Sequence, residues 1–389
     1  MLKTADAVII GGGIMGASAG HFLAKKKFGK VVMLEKRTLA AVSTGHSAAN
    51  VRTYYSNPVT VNLAKRALQM FENDREELGG DCSFRPVGFL LLLDEKSVNA
   101  GRSVCELEKR YGIDTREVTS EEISKLVPHL NLDHVAVGVF EPRSGYSDPV
   151  RTTFNLTERA KEWGLSCFEG VGAIGIRTQN DRVTTVETED GPIATRVVVN
   201  AAGPWADRVG SWLGLKYSLR WSRECDLFVQ MPRDFGPLPV VSDTYHRFYF
   251  RPQEGDKIMA GLGAPKEIEP LNIDSYDAGL DAKTRQRIES ALFKRMPAAE
   301  YMRFLHGYAS MYTITDDWHP IVGPEPDVEG YYAFFGGSGH CYKLSPPIGE
   351  ALADVISGET PKIDIHPLRP ARFLEGEPLS SAWGGGNRA

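Results

Sequence analysis

Apolar and polar positions along this chain follow two periods, one of strands and one of helices. Residues 7–10 form a short apolar run of the kind that fills a parallel strand buried on both faces. A glycine cluster follows at once. Residues 17–27 then read as a helix, with Phe22 and Leu23 among its apolar positions, and residues 31–35 as a second buried strand. Together they have the length of a βαβ crossover. Helical spacing returns over 63–78 at Leu63, Ala67, Met70 and Phe71. A strand at 87–93 opens a second region, followed by helices at 103–111 and 120–126. Ser120 starts an incomplete capping box there, with Ile123 where an acid would stand.

From about residue 146 the first style resumes. A helix is predicted over 149–163 and a buried strand over 196–200, running into Ala201-Ala202-Gly203-Pro204-Trp205. Residues 219–310 are strand-rich, with one helix at 282–295. A last buried strand at 331–335 leads into Gly336-Gly337-Ser338-Gly339, and a closing helix covers 347–356. The Gly-rich tail 380–389 is expected to fray. No low-complexity linker separates these regions, so two interleaved domains are expected.

Composition narrows this picture only a little. At 389 residues the chain is too long for one simple core. A net charge of −5 gives no reason to expect a nucleic-acid partner. The five cysteines are scattered and never form C-x-x-C, which suits free thiols rather than a zinc or iron–sulfur site. No apolar run has the length of a signal peptide core or a membrane span, so a cytoplasmic location is expected.

The first candidate chemistry is Gly11-Gly12-Gly13-Ile14-Met15-Gly16, between a strand and a helix. Gly11 allows the tight turn, Gly13 lets a pyrophosphate approach the backbone, and Gly16 lets the helix pack on the sheet. The helix N-terminus offers N–H groups and partial positive charge to phosphates. Glu35 ends the next strand, 19 residues after Gly16, where it would accept hydrogen bonds from ribose hydroxyls. This motif does not separate NAD from FAD. The stretch Ser43-Thr44-Gly45-His46-Ser47-Ala48-Ala49-Asn50-Val51-Arg52 is small and rich in donors, and would wrap a pyrophosphate from its other side.

These segments, with Lys36-Arg37, residues 199–205 and Gly337-Ser338-Gly339-His340-Cys341-Tyr342-Lys343 followed by Pro347-Ile348-Gly349, resemble the D-amino acid oxidase superfamily of flavoproteins. The similarity is greatest to the sarcosine oxidase and dimethylglycine dehydrogenase branch. It implies an α/β fold with a discontinuous Rossmann-type FAD-binding domain (1–86, 146–218, 320–389). The second domain (87–145, 219–319) would be an α+β substrate domain with a mixed sheet. Val171, Ala202, Gly203 and Trp205 would face the adenine end of FAD. The Gly337–Lys343 segment would run under the flavin ring, where its N–H dipoles stabilise negative charge.

The resemblance also implies a substrate side. Arg52 and Lys343 would clamp a carboxylate, with Tyr312 and Tyr249 lining the pocket and His46 or His340 assisting or serving as scaffold. Three positions depart from the family pattern. Ser310 stands where the branch carries the cysteine that bonds to flavin, so non-covalent FAD is expected. Cys341 replaces a glycine. Met259 occupies the register of the lysine at which oxidases react with oxygen, with Lys257 two residues away. The implied reaction is hydride transfer from an amino acid or N-alkyl amino acid to flavin, giving an imine that hydrolyses. The electron acceptor would be O2, a quinone or a carrier protein. Alternatives are a flavoprotein subunit of a larger hetero-oligomer, a homo-oligomer, or an NAD-dependent dehydrogenase.

Overall fold

The computed structural model describes residues 2–232 and 235–381. The expected fraying of the tail falls largely on residues 382–389, outside the described residues. Two large sheets organise the chain. The first has six strands in the order Ile321–Pro324, Tyr331–Phe335, Val198–Asn200, Ala7–Ile10, Val31–Glu35 and Ser166–Glu169. Its strands are parallel except Ile321–Pro324, which runs antiparallel at the edge. Ile9 lies opposite both Val199 and Met33. All four residues of Ala7–Ile10 are buried, which explains its lack of polar alternation.

The helix Ile14–Lys25 packs between this sheet, the helix Pro149–Glu162 and the helix Cys341–Ile356. Every residue from Gly16 to Ala24 is buried. A helix enclosed on all sides needs apolar or small residues all round, and Gly16-Ala17-Ser18-Ala19-Gly20 supplies them. Its first turn lies so close to the preceding turn that a Cβ on Gly16 would fall 1.8 Å from the Gly11 carbonyl oxygen.

The second sheet has eight mixed strands: Arg303–Ile314, Arg220–Gln230, Lys257–Leu262, Phe248–Gln253, Val240–Asp243, Phe89–Leu93, Val137–Glu141 and Arg116–Val118. Its two faces do different work. Leu227, Val229, Ile258, Ala260 and Phe250 pack with Ile288 and Leu292 of the helix Ala282–Arg295. Each such buried side chain contributes about 1.5–3 kcal/mol. The opposite face carries Glu224, Asp226, Tyr249 and Tyr312 and turns toward the first sheet.

Several boundaries differ from the expectation for local reasons. The helix expected from residue 63 is Pro58–Glu72, started by Asn57, whose side chain accepts from the Val59 N–H, with Pro58 in the first turn; Asp74–Glu77 is a separate turn. The helix expected from residue 103 begins at Val98. The capping box is complete, one residue earlier than read. Thr119 is the N-cap and Glu122 its reciprocal partner, so Ile123 is a core residue rather than a failed cap. A three-stranded antiparallel sheet, Ala173–Gln179, Arg182–Thr188 and Ile193–Ala194, was not expected at all. Its tight turn places Asn180 and Asp181 at φ 50° and 59°, the geometry that two-residue hairpins require.

Gly16→Ala should destabilise the fold by about 1–3 kcal/mol or more, because the added methyl has no space. A urea midpoint equal to that of the wild type would contradict this packing.

Candidate active site

The two helix N-termini of the first domain-like unit open onto one cavity of about 270 Å³. At one end Gly11 adopts φ 115°, and a Cβ there would lie 2.3 Å from the Ala201 carbonyl oxygen. No other residue type suits that position. Gly13 is the N-cap of the first helix and supplies no side-chain cap, so the first-turn amides face the cavity with little local satisfaction. Thr44 Oγ1 accepts from the Ile14 N–H at 3.1 Å. Glu35 accepts from the Gly12 N–H at 2.8 Å and the Arg37 N–H at 2.7 Å. A carboxylate has about four lone-pair positions, so capacity remains for ribose hydroxyls. The Lys36 ammonium sits 3.5 Å from the Trp205 ring centre, and burial lowers its pKa.

The loop 43–48 is held between the sheets. Ser43 Oγ donates to the Met311 carbonyl at 2.8 Å, Tyr308 Oη to the His46 carbonyl at 3.3 Å, and Arg251 Nε to the Ala48 carbonyl at 2.7 Å. Strands of the eight-stranded sheet thus fix a loop that lines the cavity.

The other end is built by the closing helix. It begins at Cys341, not at residue 347 as expected. Pro346 and Pro347 lie within its second turn, and Ser345 Oγ donates to the Cys341 carbonyl at 2.5 Å. Proline was read as a helix start; here the helix already exists and tolerates both rings near its N-terminus. His340 Nε2 donates to the Trp318 carbonyl at 2.6 Å, and its Nδ1 is buried without a hydrogen-bond partner. Burial, and then the neighbouring His319, push the His340 pKa well below the usual value. Burial favours its neutral form, and the Nε2 bond ties the start of the closing helix to the loop at Trp318. Burial pushes the Cys341 thiol up to about 12, so it packs as a small neutral group.

Lys343 Nζ donates to the His340 carbonyl at 3.1 Å. It lies 5.4 Å from the Tyr55 ring centre, and the Arg52 guanidinium lies 4.4 Å from the same ring. Both cations are buried. Burial first, and Arg52 second, lower the Lys343 pKa well below the usual range. Cys341 and the buried Glu141 act in the opposite sense and favour its charged form.

Most of the expected cofactor residues meet in this cavity: Gly11, Gly13, Ile14, Met15, Glu35, Lys36, Ser43, Thr44, His46, Ser47, Ala48, Ala202, Gly203, Trp205, Gly337, Gly339, His340, Cys341 and Tyr342. Gly16 and Gly45 act one layer back. A Cβ on Gly45 would meet the Ala40 carbonyl oxygen at 2.4 Å. Val171 is not on the wall. Its N–H is spent on the Glu35 carbonyl, and the wall passes to Gly172 and Ala173. Tyr312 lines the cavity and packs on Gly339, where a Cβ would lie 2.1 Å from the ring. Arg52, Lys343 and Tyr249 are not on the cavity wall: the first two share the Tyr55 ring, and Tyr249 is bonded to Asp226 of the wall.

Sequence reasoning missed four residues here. Tyr55 is the fully buried ring shared by the two cations. Glu224 and Asp226 line the cavity, and buried Lys266 is paired with Glu224. The alternation Glu224, Asp226 against Cys225, Leu227 was a legible signal, but such a polar face ordinarily means solvent. Met259 is fully buried on the strand next to Phe228, while Lys257 is half-buried at the far end of that strand.

The long cavity, its two helix N-termini and the carboxylate at one end suit a flavin dinucleotide. Residues 6–355 match the family model described as DAO, FAD dependent oxidoreductase. This chain belongs to that family, and FAD is its cofactor. It is 29% identical over 384 residues to mitochondrial sarcosine dehydrogenase of Mus musculus, a match covering 95% of this chain and 42% of that protein. It is 28% identical to mitochondrial dimethylglycine dehydrogenase of Rattus norvegicus, covering 95% and 45%. The chain thus spans less than half the length of these curated relatives. Its fold matches L-proline dehydrogenase from P. horikoshii with a TM-score of 0.90, at 27% identity, covering 97% of this chain and all of that one. The family assignment sets aside the NAD-dependent reading.

Ser310 is buried and lines the cavity where the resemblance places a flavin-bonding cysteine. No thioether should form there. Peptide mapping of the acid-denatured protein should find no flavin on residues 303–314; flavin attached to that segment would contradict this.

Proposed function

We propose that this chain oxidises the C–N bond of an amino acid or N-alkyl amino acid that carries a free carboxylate. The observation that carries this reading is the buried cation pair Arg52 and Lys343, which share the Tyr55 ring behind His340 and Cys341 of the cavity wall. The segments 1–86, 146–218 and 320–389 form the FAD-binding domain in this reading, and 87–145 with 219–319 the substrate domain. FAD is held without a thioether and supplies the hydride acceptor for the reaction.

The protein's own residues orient and select. Arg52 offers a planar fork to the carboxylate and Lys343 a point charge beside it. Tyr312 and Tyr249 flank the substrate, and their hydroxyls stay protonated because burial raises both pKa values well above the usual range. The neutral His340 fixes the start of the closing helix, whose N-terminus favours negative charge at the ring end. A fixed carboxylate holds the reacting C–H in one place, which lowers the entropic part of the barrier. The imine product leaves and is hydrolysed. O2, a quinone or a carrier protein accepts the electrons, with the chain acting alone or within a homo- or hetero-oligomer. Among the described residues no helix is long and apolar enough to cross a membrane.

An anaerobic screen of amino acids and N-methyl amino acids should find members that bleach the flavin; a panel without effect would remove this reading. Arg52→Ala should raise KM by about 10–100-fold, the worth of a charged hydrogen bond of about 1.5–3 kcal/mol. An unchanged KM would reassign Arg52.

Binding should also respond to pH. The empty site disfavours protonated Lys343, and an arriving carboxylate favours it, so binding takes up protons. Affinity for propionate should therefore increase as pH falls through the Lys343 titration. Calorimetry in buffers of different ionisation enthalpy measures that uptake, and zero uptake would refute the coupling.

A further inference from the structure

The eight-stranded sheet presents an acidic pair to the cavity. Glu224 and Asp226 are two residues apart on the strand Arg220–Gln230, so their side chains share one face, and both line the cavity wall. Their surroundings differ. Glu224 pairs with the buried Lys266 ammonium and accepts from Ser222 Oγ at 2.6 Å. Asp226 is 5% exposed, and among the described residues no cation stands within ion-pair distance of it. Tyr249 Oη donates to its Oδ1 at 2.5 Å. Gly261, opposite Asp226 on the neighbouring strand, makes room for this pair. A Cβ there would fall 2.2 Å from Asp226 Oδ1 and 2.9 Å from Tyr249 Oη.

Charges of both signs bear on one residue of the wall: Asp226 raises and Arg52 lowers the pKa of the Tyr312 hydroxyl. Arg52 and Lys343 are the cations, and Asp226 is an acid with no cation within ion-pair distance among the described residues. An amino acid bound by its carboxylate carries an ammonium only two bonds further on. That ammonium holds no lone pair, and the C–H cannot leave as hydride until it has one.

We propose that Asp226 is the general base that takes the proton from the substrate ammonium. This rests on the amine-oxidising reading of the site. The N–H bond breaks, its electron pair stays on nitrogen, and an O–H bond forms on the Asp226 carboxylate. The step moves no electrons to an acceptor; it prepares the amine for the oxidation that follows. Tyr249 holds the carboxylate in place.

The groups facing Asp226 are consistent with a base working near neutrality. Burial raises its pKa to about 7, while the Tyr249 hydroxyl, Lys266 and Arg251 pull it down and Glu224 pushes it up. Tyr308 and Tyr312 face it from the strand Arg303–Ile314 as neutral phenols. A base is most effective when its pKa lies near the working pH.

The test is stopped-flow flavin reduction across pH, using the holoenzyme and an amino acid that bleaches it. The wild-type rate should rise through the Asp226 titration and then level. In Asp226→Asn the rate should instead follow the free-amine fraction of the substrate, with a deficit of about 100-fold at pH 7 that all but disappears near pH 10. Propionate has a carboxylate and no amine, so its Kd should be the same in both proteins. Parallel pH profiles would overturn the proposal, as would an Asp226→Asn variant that loses propionate binding in step with rate. A wild type that no amino acid bleaches would overturn the amine-oxidising reading itself, and this assignment with it. If Asp226→Asn does not fold, Tyr249→Phe serves. Losing the hydroxyl that favours the anion should move the limb up by about 0.5–1 pH unit, and an unmoved limb would overturn the proposal.

Discussion

The close approach of the first helix to its own preceding turn is the constraint on which the site depends. Gly16 sits against the Gly11 carbonyl with no room for a methyl group. That contact aims the helix N-terminus along the sheet and into the cavity. The helix is then enclosed by two others, and Gly349 of the closing helix packs on Ser18, where a Cβ would fall 2.8 Å from its nearest atoms. The closing helix inherits its position from this packing. Its own N-terminus, with His340 and Cys341, therefore reaches the same cavity from the far end of the chain. Two backbone dipoles meeting one elongated space is a consequence of glycine packing before it is a matter of chemistry.

Burial decides the protonation pattern around that space. His340 and His319 are held neutral, the tyrosines stay protonated, and the Cys341 thiol is kept from ionising. Glu224 is ion-paired with Lys266, and Arg52 and Lys343 share the buried Tyr55 ring. A buried ion pair also stiffens the floor. Arg372 donates to Asp317 at 2.8 and 2.9 Å and to the His319 carbonyl at 3.0 Å. This fixes the loop whose Trp318 carbonyl holds His340. Breaking one partner of such a pair leaves an uncompensated buried charge, which is why a residue remote in sequence bears on the ring end.

The loop 43–48 links the two sheets functionally. Its composition suggested a pyrophosphate wrap, and its anchors are carbonyl contacts from Arg251, Tyr308 and Ser43. The two sheets are thus tied together at this point, and a change in the eight-stranded sheet would be felt at the cavity wall.

Much of this was legible in the amino-acid order, because the features concerned are local. Residues 7–35 state their own strand, turn, helix and strand: glycine spacing, apolar runs and a terminal acid all act within about thirty positions. The ring-end segment was legible as a motif, and the helix boundaries at residues 98 and 341 were not, since proline and cap signals were read one turn or more away from where packing placed them. Asp226, Glu224, Lys266 and Tyr55 carried no such local mark. An acidic residue alternating with apolar ones on a strand describes a polar face, and only the placement of the first sheet opposite makes that face a cavity wall. The sequence by itself determined the nucleotide turn, because backbone conformation and side-chain chemistry are properties of short segments. The tertiary structure alone decided which charges share a space, because that depends on contacts between strands more than a hundred residues apart.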